Sequence, residues 1–110
     1  MKIKVVYICS PLRGHSEKNI IRENIYSRFV YEKGFLPISP FVILSQFIDE
    51  DDRAERKSGK VLALRLLEKC DELWIFGLSR TESMQREIEK AKNLKLKIRQ
   101  FTSDMEAADR

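Results

Sequence analysis

The regular alternation of two kinds of segment constrains the fold of this chain more than any other feature. Short apolar segments rich in β-branched residues have the composition of buried strands, at residues 2–9, 35–39, 73–77 and 96–101. Longer segments with helical periodicity separate them, at residues 16–33, 53–70 and 79–93. Strands that alternate with helices pair in parallel, and the helices cover both faces of the sheet. The sequence therefore predicts an α/β fold, a three-layer sandwich around a central parallel sheet of four to five strands.

Cap residues mark the ends of the predicted helices. Ser16 is a suitable N-cap for the first helix, and Gly34 is a suitable stop at its C-terminus. Ser79-x-x-Glu82 fits a capping box at the start of the last helix. Residues 41–48 are apolar and ambiguous, and a short helix or turn is expected there. The apolar line of the first helix is expected at Ile21, Ile25 and Phe29.

Size and composition describe a single domain. The chain has 110 residues, 43% of them hydrophobic and 35% charged, as in ordinary soluble globular proteins. We expect one domain over residues 1–101 and a polar tail at residues 102–110 that is disordered or docks on a partner. The net charge of +4 comes from basic residues mixed with acidic ones, which favours a solvated surface over a nucleic-acid-binding stripe.

The spacing of the cysteines, the single histidine and the length of the apolar segments exclude further classes of protein. Cys9 and Cys70 lie far apart without a CxxC motif, and His15 is the single histidine, so neither a metal site nor a cofactor is expected. Two buried free thiols are the default in a reducing cytosol. No apolar segment approaches about 18 residues, and the chain starts directly in a strand-like segment. These features predict a cytoplasmic protein without a membrane partner.

A glutamate inside an apolar helical stripe is the residue that most needs an explanation. At about 100° per residue, Met84, Ile88, Ala91 and Leu94 share one face of the last helix, and Glu87 falls on that face. A buried carboxylate needs a partner or a function. From the residues alone, a buried ion pair with a neighbouring helix and a catalytic role explain Glu87 equally well.

The carboxyl ends of the predicted strands form the expected ligand site, because parallel sheets bind ligands there, at the point where the strand order reverses. Glu87 follows the third strand closely enough to lean over this crevice. An arginine beside a glycine ahead of a helix suits an anion, so Arg13 is either a phosphate or carboxylate ligand or part of a simple turn. The candidate binding residues are Ser10, Pro11, Leu12, Arg13, Gly14, Phe41, Gly77, Thr81, Ser83 and Met84.

Structural roles compete with functional ones at several of these positions. Phe41 either stacks on a planar ligand or seals the core, and the core is favoured. Tyr7 is expected in the core and His15 in a loop. Asp71, which opens the third strand, is expected to be a structural cap, and Ser79 a helix cap.

Four strings occur in one order along the chain: YICSPLRG at 7–14, GFLPISP at 34–40, CDELWIFG at 70–77 and SMQREIEKA at 83–91. Together they resemble the nucleoside 2-deoxyribosyltransferase-like family, particularly its small bacterial and phage members, and more distantly the 2′-deoxynucleoside 5′-monophosphate N-glycosidases. The resemblance covers about residues 2–101. It implies a flavodoxin-like sheet, homodimers or larger homo-oligomers with sites near the subunit interface, and N-glycosidic cleavage or transfer on nucleosides or their 5′-monophosphates.

Position by position, the resemblance assigns roles and reveals one departure. Glu87 matches the family's nucleophilic glutamate, and Arg13-Gly14 matches the phosphate-binding first loop of the nucleotide hydrolases. Thr81 falls where those hydrolases place a serine ahead of the glutamate. The enzymes carry an aspartate where this chain has Ala63, so their acid or sugar-orienting carboxylate has no direct counterpart. The candidate substitutes come from the acidic loop, at Asp49, Asp51 and Asp52.

Two hypotheses from different functional classes follow. An N-glycosidic enzyme with Glu87 as nucleophile is favoured by the position of that glutamate in an apolar stripe. A non-catalytic nucleotide-binding module that kept the fold is favoured by Ala63. A partner-binding scaffold is a weaker third reading, for which the charged tail is the only hint. A response-regulator receiver is disfavoured because the third strand ends in Phe76-Gly77 without a phosphoacceptor aspartate.

Overall fold

The computed structural model describes residues 2–12 and 16–108. Its elements are, in chain order, β1 (Val5–Cys9), α1 (Glu17–Glu32), β2 (Leu36–Ile38), α2 (Pro40–Ser45), α3 (Arg53–Leu67), β3 (Glu72–Phe76), α4 (Glu82–Asn93) and β4 (Lys97–Phe101). The four strands form one parallel sheet in the order β2-β1-β3-β4. The predicted α/β fold with a parallel sheet is confirmed.

Two hydrophobic cores lie on opposite faces of this sheet, because successive side chains of a strand point to opposite sides. On one face, α3 and α4 pack against β1 through a core that includes Tyr7 and Cys9. On the other face, α1 packs through a core that includes Val6 and Ile8. The molecule is therefore a three-layer sandwich. Within the described ranges, no helix is long and apolar enough to cross a membrane.

The strand order reverses beside β1. From β1 the chain runs outward to β2 and then returns to the opposite side of β1 as β3, where Cys9 pairs with Ile75. In sheets of this flavodoxin-like order, the reversal leaves a crevice between the carboxyl ends of the two strands, because the connecting segments leave in opposite directions. The fold thus places the end of β1 at the natural position for a ligand.

Single hydroxyl groups cap the starts of α1 and α4. The Ser16 hydroxyl accepts a hydrogen bond from the Asn19 amide at 3.1 Å, which confirms the predicted cap of α1. The capping box predicted at residues 79–82 is wrong. Thr81 caps α4 by accepting from the Met84 amide at 3.1 Å. An N-cap must directly precede the first helical residue, which here is Glu82.

The buried face of α1 differs from the predicted apolar line. Phe29 of that line packs against the core, but Ile21 and Ile25 are 55% and 39% exposed, whereas Glu23, Tyr26 and Val30 are buried. Residues at i, i+3 and i+7 share one helix face, and Tyr26 fixes that face by stacking on an aromatic ring of β3. The consequence is that a glutamate, rather than an isoleucine, points inward near the start of the helix.

The tail turns back onto the sheet as far as the structure describes it. Ala107 forms an antiparallel bridge with Phe101, and the Ala108 amide donates to the Gln100 carbonyl oxygen. Met105 packs against the aromatic core beneath α1. Residues 102–108 are therefore ordered against the sheet, because this segment finds backbone and side-chain partners within the chain. Docking of the tail on a partner stays a prediction.

Two carboxylates tie the amino ends of the strands together. Asp71 Oδ2 accepts a hydrogen bond from the Val5 amide at 2.8 Å, which confirms its structural role. Glu72 is buried, and three donors surround its carboxylate: Trp74 Nε1 at 2.9 Å, Arg99 Nε at 3.2 Å and Lys4 Nζ at 3.9 Å. The negative charge at this end of the sheet is balanced by cations and by an indole donor.

Candidate active site

A cavity of about 180 Å³ opens at the carboxyl edge of the sheet, over the end of β1. Tyr7 and Ile8 of β1 form part of its wall, and Glu87 faces it from α4. Six of the predicted binding residues line it: Ser10, Leu12, Phe41, Thr81, Ser83 and Met84. Residues from five separate segments thus meet at the crevice that the strand order creates.

Glu87 is held at the cavity wall by two donors from β1. Its Oε2 accepts a hydrogen bond from the Tyr7 hydroxyl at 2.8 Å, and its Oε1 accepts one from the Cys9 thiol at 3.2 Å. Burial raises the pKa of Glu87, while these two donors act in the opposite direction. Among the residues that the structure describes, no lysine or arginine forms a salt bridge with Glu87, so the ion-pair explanation finds no support there.

Tyr7 and Cys9 are functional candidates that the sequence did not reveal. Both are buried, and the sequence placed Tyr7 simply in the core. Burial, followed by the nearby charge of Glu87, raises the pKa of the phenol and of the thiol, so both keep their protons and remain donors. The available signal was their i, i+2 spacing, which puts both polar atoms on the sheet face that receives α4.

A second carboxylate, Glu23 of α1, lines the same cavity. Its side chain is only 1% exposed. The Ser39 hydroxyl donates to its Oε1 at 2.6 Å, and the Ser10 hydroxyl donates to its Oε2 in a very short contact. Burial raises the pKa of Glu23, and the two hydroxyls act against that shift. Sequence analysis missed Glu23 because Tyr26 and Val30, which mark the buried face of α1, were not recognised as such.

The two carboxylates reach the cavity from opposite faces of the sheet. Glu87 comes from α4, which covers the face with Tyr7, whereas Glu23 comes from α1, which covers the face with Ile8. The negative charge of Glu23 also raises the pKa of Glu87, although burial is the larger cause. Two acidic groups that face one cavity in this way resist simultaneous ionisation.

Some predicted binding residues lie elsewhere. Gly77 turns the chain after β3 with φ +97°, and a Cβ atom at this position would lie 3.4 Å from Pro11 Cδ. Pro11 and Gly77 therefore pack on each other at the sheet edge and are not among the cavity walls. Arg13 and Gly14, which were expected to bind an anion, lie outside the described residues.

Ala63, at the position where the resemblance implies an aspartate, also faces the cavity. Ala63 of α3 lines it and leaves its wall apolar at that point. The suggested substitutes do not reach the cavity. The Asp52 side chain caps α3 by accepting from the Ala54 and Glu55 amides, and Asp49 accepts from the Asp51 amide in an exposed loop.

Two cations stand at the cavity, on α3 and α4. Lys60 and Arg86 both belong to its lining, and both are largely exposed. Arg86 lies 3.6 Å from a carboxylate oxygen of Glu82. Such exposed cations suit an anionic group at the cavity mouth rather than at its floor. Within residues 2–12 and 16–108, no group of three or more His, Cys, Asp or Glu side chains is arranged to hold a metal ion.

The strand order and the crevice define the class of fold, which is flavodoxin-like α/β of the 2-deoxyribosyltransferase type. The solved structure of a 2-deoxyribosyltransferase from the psychrotolerant bacterium Bacillus psychrosaccharolyticus superimposes with a TM-score of 0.70 at 13% sequence identity, covering 96% of this chain and 77% of that one. The likeness establishes a distant fold relationship. Among curated proteins, no significant match is found.

The sequence also matches a family model over residues 4–101, that of the domain of unknown function DUF7768. The chain belongs to this family. The match spans nearly all of β1 to β4, so the cavity and both of its carboxylates lie within the family's domain.

Proposed function

We propose that this protein cleaves or transfers the N-glycosidic bond of (deoxy)nucleosides or their 5′-monophosphates, with Glu87 as the nucleophile. The observation that carries the proposal is the placement of the Glu87 carboxylate at a cavity wall, where Tyr7 and Cys9 fix one oxygen each. The resemblance of the sequence and the likeness of the fold to a 2-deoxyribosyltransferase support the same chemistry.

The arrangement of Glu87 suits attack on an anomeric carbon. Cleavage of an N-glycosidic bond builds positive charge on the sugar, and a carboxylate beside that carbon stabilises the charge or bonds to it. Because Tyr7 and Cys9 hold the carboxylate from β1, its remaining lone pairs are free to face the cavity. Water would then release the sugar, whereas a second base would accept it.

Other cavity residues provide places for the parts of a nucleoside. Phe41 offers an aromatic face to a planar base, and Met84 offers an apolar surface. Thr81 and Ser83 stand at the start of α4, where hydroxyls and free backbone amides favour hydroxyl or phosphate groups. Lys60 and Arg86 suit a 5′-phosphate at the mouth, together with Arg13-Gly14 as the resemblance implies. Ser10 and Leu12 form another part of the wall, and Pro11 and Gly77 pack on each other outside it.

A base-release assay tests the proposal. The protein is incubated with a panel of 2′-deoxynucleosides, ribonucleosides and their 5′-monophosphates, with and without a second free base, and products are separated by chromatography. We expect release or exchange of at least one base by the wild type and its loss in Glu87→Gln and Glu87→Ala. The matched control is Glu89→Gln, which changes an exposed glutamate on the same helix. Release that survives both Glu87 substitutions would rule out the nucleophile.

The alternative is a nucleotide-binding module without catalysis, and Ala63 is the observation that favours it. Under this alternative, a deoxynucleoside monophosphate raises the melting temperature but its base is never released. Lys60→Ala and Arg13→Ala should then weaken the thermal shift by a monophosphate more than the shift by the matching nucleoside. Equal weakening of both shifts would show that neither cation contacts the phosphate.

We further propose that the protein forms homodimers or larger homo-oligomers. Apolar side chains are exposed on the outer surface, among them Ile21 and Ile25 of α1 and Phe47, which is 67% exposed. Light scattering of the purified chain should give a mass that is a multiple of 13.0 kDa. A monomeric mass at micromolar concentration would contradict this proposal and leave the chemistry of the cavity to a single subunit.

A further inference from the structure

We propose that Glu23 is the acid–base residue of the cavity, which gives a proton to the departing base and later takes one from the attacking water. This inference rests on the proposed function of Glu87. It assigns to α1 the role that the substitution at Ala63 leaves vacant on α3. The argument depends on the position of Glu23, on its two serine partners and on the number of protons that the cavity holds.

The position of Glu23 is suitable because it faces Glu87 across the cavity. The two helices that carry these residues lie on opposite sides of the sheet, and both side chains are part of the wall. A nucleoside between them would present its anomeric carbon to one carboxyl and its base to the other. Attack and protonation could therefore proceed from separate sides of the bond that breaks.

The serine partners suit a group that changes its protonation state. Ser10 follows β1 directly and Ser39 follows β2, and each hydroxyl contacts a different oxygen of Glu23. A hydroxyl can donate to a carboxylate and can accept from a carboxylic acid. The pair can thus hold Glu23 in one orientation before and after it loses its proton. A lysine or arginine partner would stabilise only the ionised form, and among the described residues none forms a salt bridge with Glu23.

The number of protons that the two carboxyls of the cavity hold also agrees with the proposed role of Glu23. The nucleophile must be ionised, whereas the acid must carry a proton when substrate binds. Burial raises the pKa of both carboxyls, and ionisation of Glu23 further disfavours ionisation of Glu87. Over the pH range between their two ionisations, one carboxyl is ionised while the other still carries its proton. This singly protonated state is the one that the reaction requires.

The reaction balances with these two groups and water. A Glu87 carboxylate oxygen bonds to the anomeric carbon, and the bond between that carbon and the base breaks with its electron pair on the base nitrogen. The Glu23 carboxyl proton goes to the base, which leaves neutral, and Glu23 becomes a carboxylate. Glu23 then takes a proton from water as the water oxygen bonds to the anomeric carbon, and Glu87 departs as a carboxylate. In transfer, a second base takes the place of water.

Substrates that differ in their leaving group separate this role from a structural one. The first substrate is the 2′-deoxynucleoside cleaved best by the wild type, whose base needs a proton to leave. The second is a 2-deoxyriboside of p-nitrophenol, which leaves as an anion without help. We expect Glu23→Gln to lose at least about 100-fold in kcat/KM on the nucleoside and to keep a kcat/KM close to that of the wild type on the phenol glycoside. This ratio reports the steps up to departure of the leaving group, whereas kcat also includes the later attack of water, in which Glu23 acts as the base. Glu17→Gln, an exposed change on the same helix, is the control.

Each other outcome is decisive. Equal losses on the two substrates would overturn the acid role and leave Glu23 as a group that positions Ser10 and Ser39. Undiminished activity on both substrates would overturn any role in the reaction. Loss of both activities in Glu87→Gln, together with the selective loss in Glu23→Gln, would support both assignments. A wild type that is inactive on both substrates would overturn the proposed function, and the assignment of Glu23 with it.

The pH profile of the wild type gives a test that does not depend on the folding of a variant. The kcat/KM for the nucleoside should fall on the alkaline side, as Glu23 loses its proton, and on the acidic side, as Glu87 gains one. The kcat/KM for the phenol glycoside should keep the acidic fall and lack the alkaline one. The same alkaline fall on both substrates would contradict the role of Glu23.

Discussion

The two ends of the sheet treat their buried and half-buried carboxylates in opposite ways. At the amino end, Asp71 accepts from a backbone amide, and Glu72 is surrounded by Arg99, Lys4 and an indole N–H. At the carboxyl end, Glu23 and Glu87 have only hydroxyl and thiol donors among the described residues. The charges of Asp71 and Glu72 are compensated by hydrogen-bond donors and cations in the folded protein. The carboxylates of Glu23 and Glu87 face an open cavity instead.

This difference separates structural carboxylates from reactive ones. A buried acid that is balanced by cations contributes to the folded state and has little reason to exchange its proton. A buried acid held only by neutral donors is disfavoured in its ionised form and is prepared to react with a positively charged or proton-accepting partner. The comparison thus predicts that substitutions at the two ends will affect different properties of the protein.

The largest expected effect is a loss of catalytic activity. Only a substitution at the carboxyl end of the sheet should cause it. Glu87→Gln should reduce base release by at least about 1000-fold, because removal of a nucleophile removes the covalent route. Glu72→Gln, which changes a buried glutamate at the other end, should stay within about twofold of the wild type. The measurement is kcat for one nucleoside with both variants at matched folded concentration. A loss of similar size in Glu72→Gln would remove the distinction between the ends.

Stability should show the reverse pattern. Glu72→Gln should lower the free energy of unfolding by about 1.5–3 kcal/mol, since the hydrogen bonds of Trp74 and Arg99 to a charged acceptor are weakened. Glu87→Gln should be as stable as the wild type or more stable at neutral pH, because a half-buried carboxylate that no described cation pairs with is replaced by a neutral amide. Urea denaturation followed by tryptophan fluorescence gives both values. A marked destabilisation by Glu87→Gln would show that Glu87 is a structural group.

A substitution at Phe41 tests whether the cavity at the carboxyl end of the sheet also binds the base. Phe41→Ala should raise KM for a nucleoside about 10-fold with a smaller change in kcat, because stacking on an aromatic ring contributes about 1–3 kcal/mol per base. Phe41→Tyr keeps the ring and is the matched control. An unchanged KM in Phe41→Ala would assign this ring to the core, the alternative that the sequence favoured.

The smallest expected effect is the pH dependence of stability. Burial raises the pKa of Glu23 and Glu87 above the ordinary value of 4.5 in the folded state. The folded protein therefore binds more protons than the unfolded chain between the ordinary and the raised pKa values, and stability falls as the pH rises through that window. Relative to the wild type, Glu23→Gln should become progressively more stable from about pH 4.5 upward. A difference that stays constant with pH would show that Glu23 titrates normally.

Most of the fold could be predicted from the sequence, because strand and helix periodicities are local signals. The end of β1, the cap at Ser16 and the buried stripe of Met84 and Ala91 follow from spacing and residue type. Leu94 of the same stripe is 40% exposed, since the helix ends before it. Contacts between residues that are far apart in the chain could not be predicted from the sequence.

The site itself shows the same limit. The inward direction of Glu87 could be predicted from its neighbours on one helix. The partners at Tyr7 and Cys9 could not, because they are separated from it by 80 and 78 residues. Glu23 was hidden because two isoleucines suggested a different buried face for α1, and only the packing of Tyr26 on the sheet decides between the two faces.

The most direct test of the central claim is detection of a covalent sugar on Glu87. Wild-type protein is mixed with a cleavable 2′-deoxynucleoside, quenched with acid within one turnover, and analysed by intact mass and peptide mapping. The account predicts a mass increase of one 2-deoxyribosyl group on the peptide that contains Glu87, and no increase in Glu87→Gln. A sugar attached to another residue, or base release by Glu87→Gln at the wild-type rate, would contradict it.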